Sequence, residues 1–296
     1  MHPAPSVIIF STLSGAGFGL LFFLGLGLPS VGGWVAFVFY ALAYALAVGG
    51  LLSSTFHLKN RRNAWKAYRE WRSSWLSREA WAAVSALLVM AAFAAAQVLA
   101  GVTLAPLGWL GAALSLATVF TTSMIYAQLR PVPRWNQRVA TPAVFLACAL
   151  AGGALLSANV RAASLLLVVA GAAVVWHWIA GDRRLARSGT TMNTATGLPG
   201  AVRLWERPHT GENYLTREMV FQVGRRHARK LRWIALGLLA GLPVCLTLLP
   251  MGHTTGAVAV LSHLGGVAVQ RWLFFAEAEH VVGLYYGAHA ASAARG

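Results

Sequence analysis

Charged residues divide the chain into long apolar stretches that predict membrane-spanning helices. Asp, Glu, Lys and Arg are all absent from residues 1–58, 80–129, 139–160, 162–181 and 233–270. A spanning helix needs about 20 mostly apolar residues, so each of the first two stretches is long enough for two helices. Turn residues such as Pro29, Gly32 and Gly33 divide the first stretch. The pattern predicts eight helices, over residues 6–28, 33–55, 79–101, 107–128, 140–157, 161–180, 231–250 and 255–277.

The composition agrees with this pattern and excludes an ordinary soluble domain. Only 11% of the residues are charged and 57% are hydrophobic, whereas about a quarter of a soluble domain is charged. We therefore predict an all-α membrane protein, an eight-helix bundle that forms one integral membrane domain over residues 1–296. A weak similarity between residues 75–79 and 214–218 suggests that the bundle consists of two halves of four helices, related as a parallel repeat.

The remaining charge is mostly basic and lies on one side of the predicted bundle. The chain has 24 Lys and Arg against 8 Asp and Glu, a formal net charge of +16. Nearly all the basic residues fall in three loops, residues 56–78, 130–138 and 181–230, while the opposite loops contribute Arg161 alone. The positive-inside rule places these loops, and both termini, in the cytoplasm of a bacterial inner membrane. Residues 212–232 are predicted to form a helix that leads from the third loop into the seventh span.

Other features of the sequence narrow the choice of partners. The first apolar stretch has no basic region before it and continues into a second span, so no signal peptide is expected. A chain so deeply embedded in the lipid bilayer leaves no element free to enter a groove, and a nucleic-acid partner is not expected. Glu277, near the end of the last predicted span, is expected to pair with nearby basic groups.

Cysteine and histidine limit the redox centres that the chain can hold. Cys148 and Cys245 lie in predicted spans without a CxxC motif, and an iron–sulfur cluster takes about four Cys. His177 and His263 also lie in predicted spans, but they do not form the matched pairs that axial haem ligation needs. We interpret His177 as a hydrogen-bonded residue at the membrane interface. A haem b cytochrome and a small-solute transporter remain the alternatives from other classes.

The first predicted helix carries small and hydroxylated residues. Glycines stand at positions 15, 17, 19, 25 and 27, and small residues let helices approach closely in lipid. This pattern predicts tight packing around the first helix. The hydroxyls of Ser11, Thr12 and Ser14 either line a polar pocket or bond back to the carbonyls of their own helix.

A histidine and a carboxylate flank the first basic loop. His57 ends the second predicted span and Glu79 opens the third, 22 residues later on the same side. An imidazole and a carboxylate at the edge of the bilayer can bind a quinol oxygen and exchange its protons with water. Alternatively, Ser77 caps the third helix and Glu79 only interacts with the helix dipole, while His57 anchors the chain at the interface.

Several segments along the whole chain resemble the DmsC family, the membrane anchor subunits of dimethyl sulfoxide reductase and its relatives. They are MHPAPSVIIF and TLSGAG in residues 1–17, FHL at 56–58, SWLSRE at 74–79, MIYA at 124–127, PHT at 208–210, NYLTREM at 213–219, RWLFFAE at 271–277 and YYG at 285–287. None of these segments is specific alone, but together they are. Lys59 departs from the family, in which a Gly is common after His-Leu.

The resemblance implies an eight-span, haem-free anchor that reacts with a quinone, ubiquinone or menaquinone. It implies two partners, a four-cluster iron–sulfur subunit bound directly and a molybdopterin catalytic subunit. By the same likeness, His57 and Glu79 bind the quinone and handle its protons. We place the headgroup between the first three helices, where Ser14, Gly15 and Arg78 are also predicted to contact it. DMSO-reductase anchors oxidise quinol and those of sulfite-oxidising complexes reduce quinone, so the direction of electron flow stays open.

Overall fold

The computed structural model describes residues 1–57, 61–206, 211, 213–220 and 227–286, without the side chains of His57 and Arg61. All the regular elements in these ranges are helical. The eight longest are α1 (Pro5–Gly25), α2 (Gly33–Ser53), α3 (Trp75–Leu99), α4 (Ala105–Ala127), α5 (Ala140–Leu156), α6 (Val160–Asp182), α7 (Ala228–Thr247) and α8 (His253–Ala276).

Shorter elements connect the long helices. Two 3₁₀ segments, Ser54–His57 and Arg61–Tyr68, lie between α2 and α3, and α7 contains a π-helical segment at Gly237–Gly241. The long connection before α7 contains the helices Arg184–Arg187 and Met192–Thr196 and a π-helical turn, Leu215–Met219; Val281–Tyr286 follows α8. Of the helix predicted over residues 212–232, positions 212 and 221–226 lie outside the described residues.

The prediction of an all-α membrane protein is confirmed, and its count of eight spans is met in part. Seven helices are long and apolar enough to cross a bilayer. The remaining one, α5, is apolar but has 17 residues. At 1.5 Å per residue it is about 26 Å long, slightly less than the hydrocarbon core of about 30 Å.

The start of α3 differs most from the prediction in its consequences. The helix begins at Trp75, four residues before the predicted position, because the extended backbone of Ser74 (φ −105°, ψ 125°) is the N-cap. Ser77 therefore lies inside the helix and is not its cap. Glu79 is the fifth residue of α3, beyond the first turn, so the alternative that it only interacts with the helix dipole is wrong.

The tight packing predicted around the first helix is confirmed. α1 is the central helix and packs against α2, α4, α5 and α8. A Cβ atom on Gly17 would lie 2.3 Å from the backbone nitrogen of Ala47 in α2. A Cβ atom on Gly19 would lie 1.9 Å from the carbonyl oxygen of Ala149 in α5. Only glycine allows these backbones to approach so closely.

One end of the bundle is closed by contacts between distant parts of the chain. The amino group of Met1 donates to the carbonyl of Ala278, 2.8 Å away, and the amide of Val281 donates to the carbonyl of Pro131 at 2.9 Å. The beginning of the chain, the connection between α4 and α5, and the segment after α8 therefore lie at the same end. We call this end of the bundle, where the three basic loops also begin, the basic end.

Four charged residues form a cluster just inside the basic end. Arg134 donates to Asp182 and Glu277, at 2.7 and 2.8 Å, and Arg232 bonds to the same two carboxylates, at 2.5 to 2.8 Å. These residues come from the α4–α5 connection and from α6, α7 and α8, so the cluster joins all of these elements. The predicted pairing of Glu277 is confirmed.

Candidate functional site

Glu79 lies buried near the basic end, against α4. Its residue surface is 5% exposed, and the hydroxyl of Thr122 donates a hydrogen bond to one of its carboxyl oxygens. Among the described residues, no basic side chain lies within salt-bridge distance of Glu79. A carboxyl in such a place can take up and release a proton without being fixed in an ion pair.

Thr122 also lines a narrow internal cavity between α1, α4, α5 and α8. The cavity extends from the level of Arg271, about 8 Å inside the end of α8, to that of His263, about 20 Å inside. It therefore reaches from the neighbourhood of Glu79 toward the middle of the membrane. Its lining comprises Ser11, Thr12, Ser14, Gly15, Ala16, Phe18, Val119, Thr122, Phe145, Cys148, Ala149, His263, Leu264, Val267 and Arg271.

The predicted residues Ser14 and Gly15 are on the wall of this cavity. Ser14 donates its hydroxyl to the carbonyl of Phe10 at 2.7 Å, and Ser11 likewise bonds to Val7 at 2.9 Å. Both predicted arrangements thus occur at once: the hydroxyls bond back to the helix and their residues line a polar cavity. Thr12 differs, because its hydroxyl has no hydrogen-bond partner among the described residues.

His57 ends the 3₁₀ segment that follows α2, at the basic end of the bundle. The preceding turn is tied to α1, since the hydroxyl of Ser53 donates to the carbonyl of Ser6 at 3.1 Å. His57 and Glu79 therefore share one end of the bundle, as predicted. The direction of the imidazole lies outside the described part of the chain.

Arg78 is on a different surface from the cavity. Its guanidinium donates to the carbonyls of Trp71 and Arg72, at 2.9 and 2.6 Å, and lies 4.4 Å from the ring centre of Trp75. The structure thus brings Ser14 and Gly15 together with Glu79 through Thr122, and it directs Arg78 toward the exposed basic loop. Contact between Arg78 and a quinone stays a prediction.

Sequence reasoning missed Arg271, a buried charge in α8. Arg271 is 1% exposed, its guanidinium carbon lies 3.6 Å from the ring centre of Phe145, and one terminal nitrogen donates to the Gln270 side chain at 3.1 Å. Its Nε atom has no hydrogen-bond partner in the described part of the chain. A signal was available, because residue 271 lies six positions inside the predicted eighth span.

The two histidines of the predicted spans are both buried. His177 is 1% exposed, and neither ring nitrogen has a hydrogen-bond partner among the residues described. Its interpretation as a hydrogen-bonded interfacial residue is therefore wrong; the ring packs against Phe274, with centroids 5.6 Å apart. The ring nitrogens of His263 lie 2.7 and 3.2 Å from the carbonyl oxygens of Leu239 and Cys148.

Comparison with known proteins identifies the family. The family model of the DMSO reductase anchor subunit (DmsC) matches residues 1–179. One of the subunits of the sulfite dehydrogenase of Allochromatium vinosum is 32% identical over 325 aligned residues, which cover 97% of this chain and 99% of that protein. No solved structure matches the chain. The chain belongs to the DmsC family of membrane anchor subunits.

Proposed function

We propose that this chain is the quinone-reactive membrane anchor of a molybdopterin oxidoreductase that oxidises sulfite. Its relative along nearly the full length belongs to a sulfite dehydrogenase, and this favours transfer of electrons toward the quinone. Family membership favours the anchor over the transporter and the haem b cytochrome. The observation that carries the proposal is the buried carboxyl of Glu79, which Thr122 holds beside a polar cavity at the basic end.

The polar groups of the cavity fit an oxygen-bearing ring such as a quinone headgroup. Two buried polar atoms on its wall, the Thr12 hydroxyl and the Arg271 Nε, have no partner in the described residues. The proposal therefore places the headgroup between α1, α4, α5 and α8, farther inside the bundle than the predicted position between the first three helices. Ser14 and Gly15 belong to this wall, while Arg78 does not.

The residues of this chain supply protons and positioning. Conversion of a quinone to a quinol takes up two electrons and two protons. Glu79 gives a proton to the reacting oxygen, and the Thr122 hydroxyl orients the carboxyl for that transfer. His57 connects this end of the bundle with water, from which Glu79 regains its proton. The electrons arrive from the partner subunits; in the opposite direction, quinol oxidation reverses each step.

The partners proposed are an iron–sulfur subunit, bound directly, and a molybdopterin catalytic subunit. Electrons must reach the cavity from outside this chain, which we propose carries neither haem nor cluster. The basic end is the docking surface, because it lies close to Glu79 and its loops are rich in Arg and Lys. An acidic partner surface is favoured there by complementary charge.

Eight spans with both termini on the cytoplasmic side of the inner membrane complete the proposal. An even number of crossings between Met1 and Ala278 is supported by the hydrogen bond that joins them at the basic end. The seven longest helices alone are an odd number, so α5 is proposed as the eighth crossing. It starts beside the charged cluster, since the Thr141 hydroxyl donates to the Trp135 carbonyl at 2.9 Å, and it leads to the opposite end, where α6 begins.

The experiment is to purify the complex through this chain, identify its subunits and metals, and measure sulfite-dependent reduction of decylubiquinone. Glu79→Gln is expected to lower turnover about 100-fold or more, the usual contribution of a general acid–base group. Sulfite oxidation with ferricyanide, a soluble acceptor, should stay unchanged, because it bypasses the quinone. His57→Ala is expected to reduce quinone turnover in the same selective way.

Glu70→Gln is the matched control, because Glu70 is an exposed carboxylate of the first basic loop that bonds only to Ser73 among the described side chains. It should keep wild-type turnover. The proposal is wrong if Glu79→Gln, in an intact complex, reduces decylubiquinone within twofold of the wild-type rate. Recovery of the chain without molybdenum and iron would equally contradict it.

A further inference from the structure

Arg271 lacks the ionic partner that a charge inside a membrane usually has. Ionisable side chains within spans are costly and generally pair with one another or face a polar cavity. None of the described carboxylates forms a salt bridge with Arg271, whereas Arg134 and Arg232 at the basic end each contact two carboxylates. The environment of Arg271 is one aromatic ring, the amide oxygen of Gln270 and the cavity.

Unused hydrogen-bonding atoms are concentrated around this guanidinium. The Arg271 Nε, the Thr12 hydroxyl and the Gln270 amide nitrogen are buried without a partner among the described residues. Arg271 and Thr12 come from different helices, α8 and α1, and both line the cavity. Buried polar groups are normally hydrogen-bonded, so two unpaired groups on one cavity wall indicate a ligand that accepts hydrogen bonds.

We propose that Arg271 and Thr12 bind the second oxygen of the quinone headgroup. This inference rests on the proposed function, since it extends the site that contains Glu79 and Thr122. Ubiquinone and menaquinone carry two oxygens on opposite sides of one ring, and each needs a hydrogen-bond donor in an apolar surrounding. Thr122 with Glu79 serves one oxygen, and Arg271 with Thr12 serves the other.

The charge of Arg271 suits this role. Electron uptake by the ring places negative charge on its oxygens, and a guanidinium in a low-dielectric surrounding stabilises such charge strongly. Cys148 on α5 and His263 on α8 line the same cavity, and Tyr126 on α4 lies within electrostatic range of both Glu79 and Arg271. The cavity is narrow, so a ring inside it displaces apolar side chains of the wall such as Phe18.

Infrared difference spectroscopy of menadione bound to the purified complex tests the assignment. Menadione is a quinone headgroup without a tail, and a hydrogen bond lowers the stretching frequency of the carbonyl that accepts it. Thr12→Val keeps the shape of the side chain and removes its hydroxyl. It is expected to shift one of the two carbonyl bands toward the frequency of a free carbonyl and to leave the other band in place. Arg271→Lys should shift the same band, and Glu79→Gln the other.

Thr247→Val is the matched control, since Thr247 is a buried threonine of α7 that bonds to Ser164 away from the cavity. It should shift neither band. Both bands at wild-type frequency in Thr12→Val and in Arg271→Lys, with menadione still bound, would overturn the inference and indicate that these residues hold water instead. If menadione does not bind to the wild-type complex at all, the proposed function fails, and this inference fails with it.

Discussion

The charged cluster at the basic end allows a prediction in which two carboxylates serve as controls for each other. Glu277 and Asp182 both bond to Arg134 and Arg232, with similar distances. Their surroundings differ, because the side chain of Glu277 is 7% exposed and that of Asp182 is 44% exposed. Neutralising each with its amide, Glu277→Gln or Asp182→Asn, keeps the size of the side chain and removes one negative charge.

The expected magnitudes follow from this difference in burial. Removing one partner of a buried ion pair costs about 3–5 kcal/mol, because the remaining charge stays buried. A well-exposed pair contributes only about 0–1 kcal/mol, since water and salt screen it. Glu277→Gln should therefore lower the free energy of unfolding by about 3 kcal/mol or more, and Asp182→Asn by about 1 kcal/mol.

The assay is unfolding of the purified complex in detergent, followed by tryptophan fluorescence, for both variants at low and at high salt. Salt should reduce the effect of Asp182→Asn and leave that of Glu277→Gln nearly unchanged. Equal destabilisation by the two variants, or a larger effect of Asp182→Asn, would refute the reasoning from burial.

Two further predictions concern helix packing and the proton-handling carboxyl. Gly19→Ala should destabilise the bundle by about 1–3 kcal/mol, because its Cβ atom would overlap the backbone of Ala149; Gly49→Ala, with open space at the Cβ position, should not destabilise it, and equal stability of the two variants in detergent unfolding would contradict this. Thr122→Val removes the hydrogen bond to Glu79 and should slow decylubiquinone reduction without changing ferricyanide-linked sulfite oxidation; an unchanged quinone rate would mean that Thr122 does not orient Glu79.

Much of the fold could be predicted because charge is excluded from the hydrocarbon core. Gaps between charged residues located all eight long helices, and the glycines of the first one predicted its close contacts. The start of α3 was harder to predict, because Ser74 and Ser77 are both typical N-cap residues and only the backbone conformation distinguishes them. The length of α5 was set by packing as much as by hydropathy.

The candidate site could be predicted only in part. Glu79 and His57 were found because each is a titratable group at the edge of an uncharged stretch. Arg271 was missed because a cation near the end of a span is normally an interface residue that extends toward water. Its burial depends on Phe145 of another helix, and the cavity itself depends on four helices that are distant in the sequence.

The most direct test of the account is the position of a quinone in the purified complex. Electron cryo-microscopy of the complex with bound menadione would locate the ring and the metal centres of the partner subunits. The account predicts a ring between α1, α4, α5 and α8, with one oxygen at hydrogen-bonding distance from Thr122 or Glu79, and the partner's nearest centre at the basic end. A ring at the opposite end of the bundle, or on its lipid-facing surface, would contradict it.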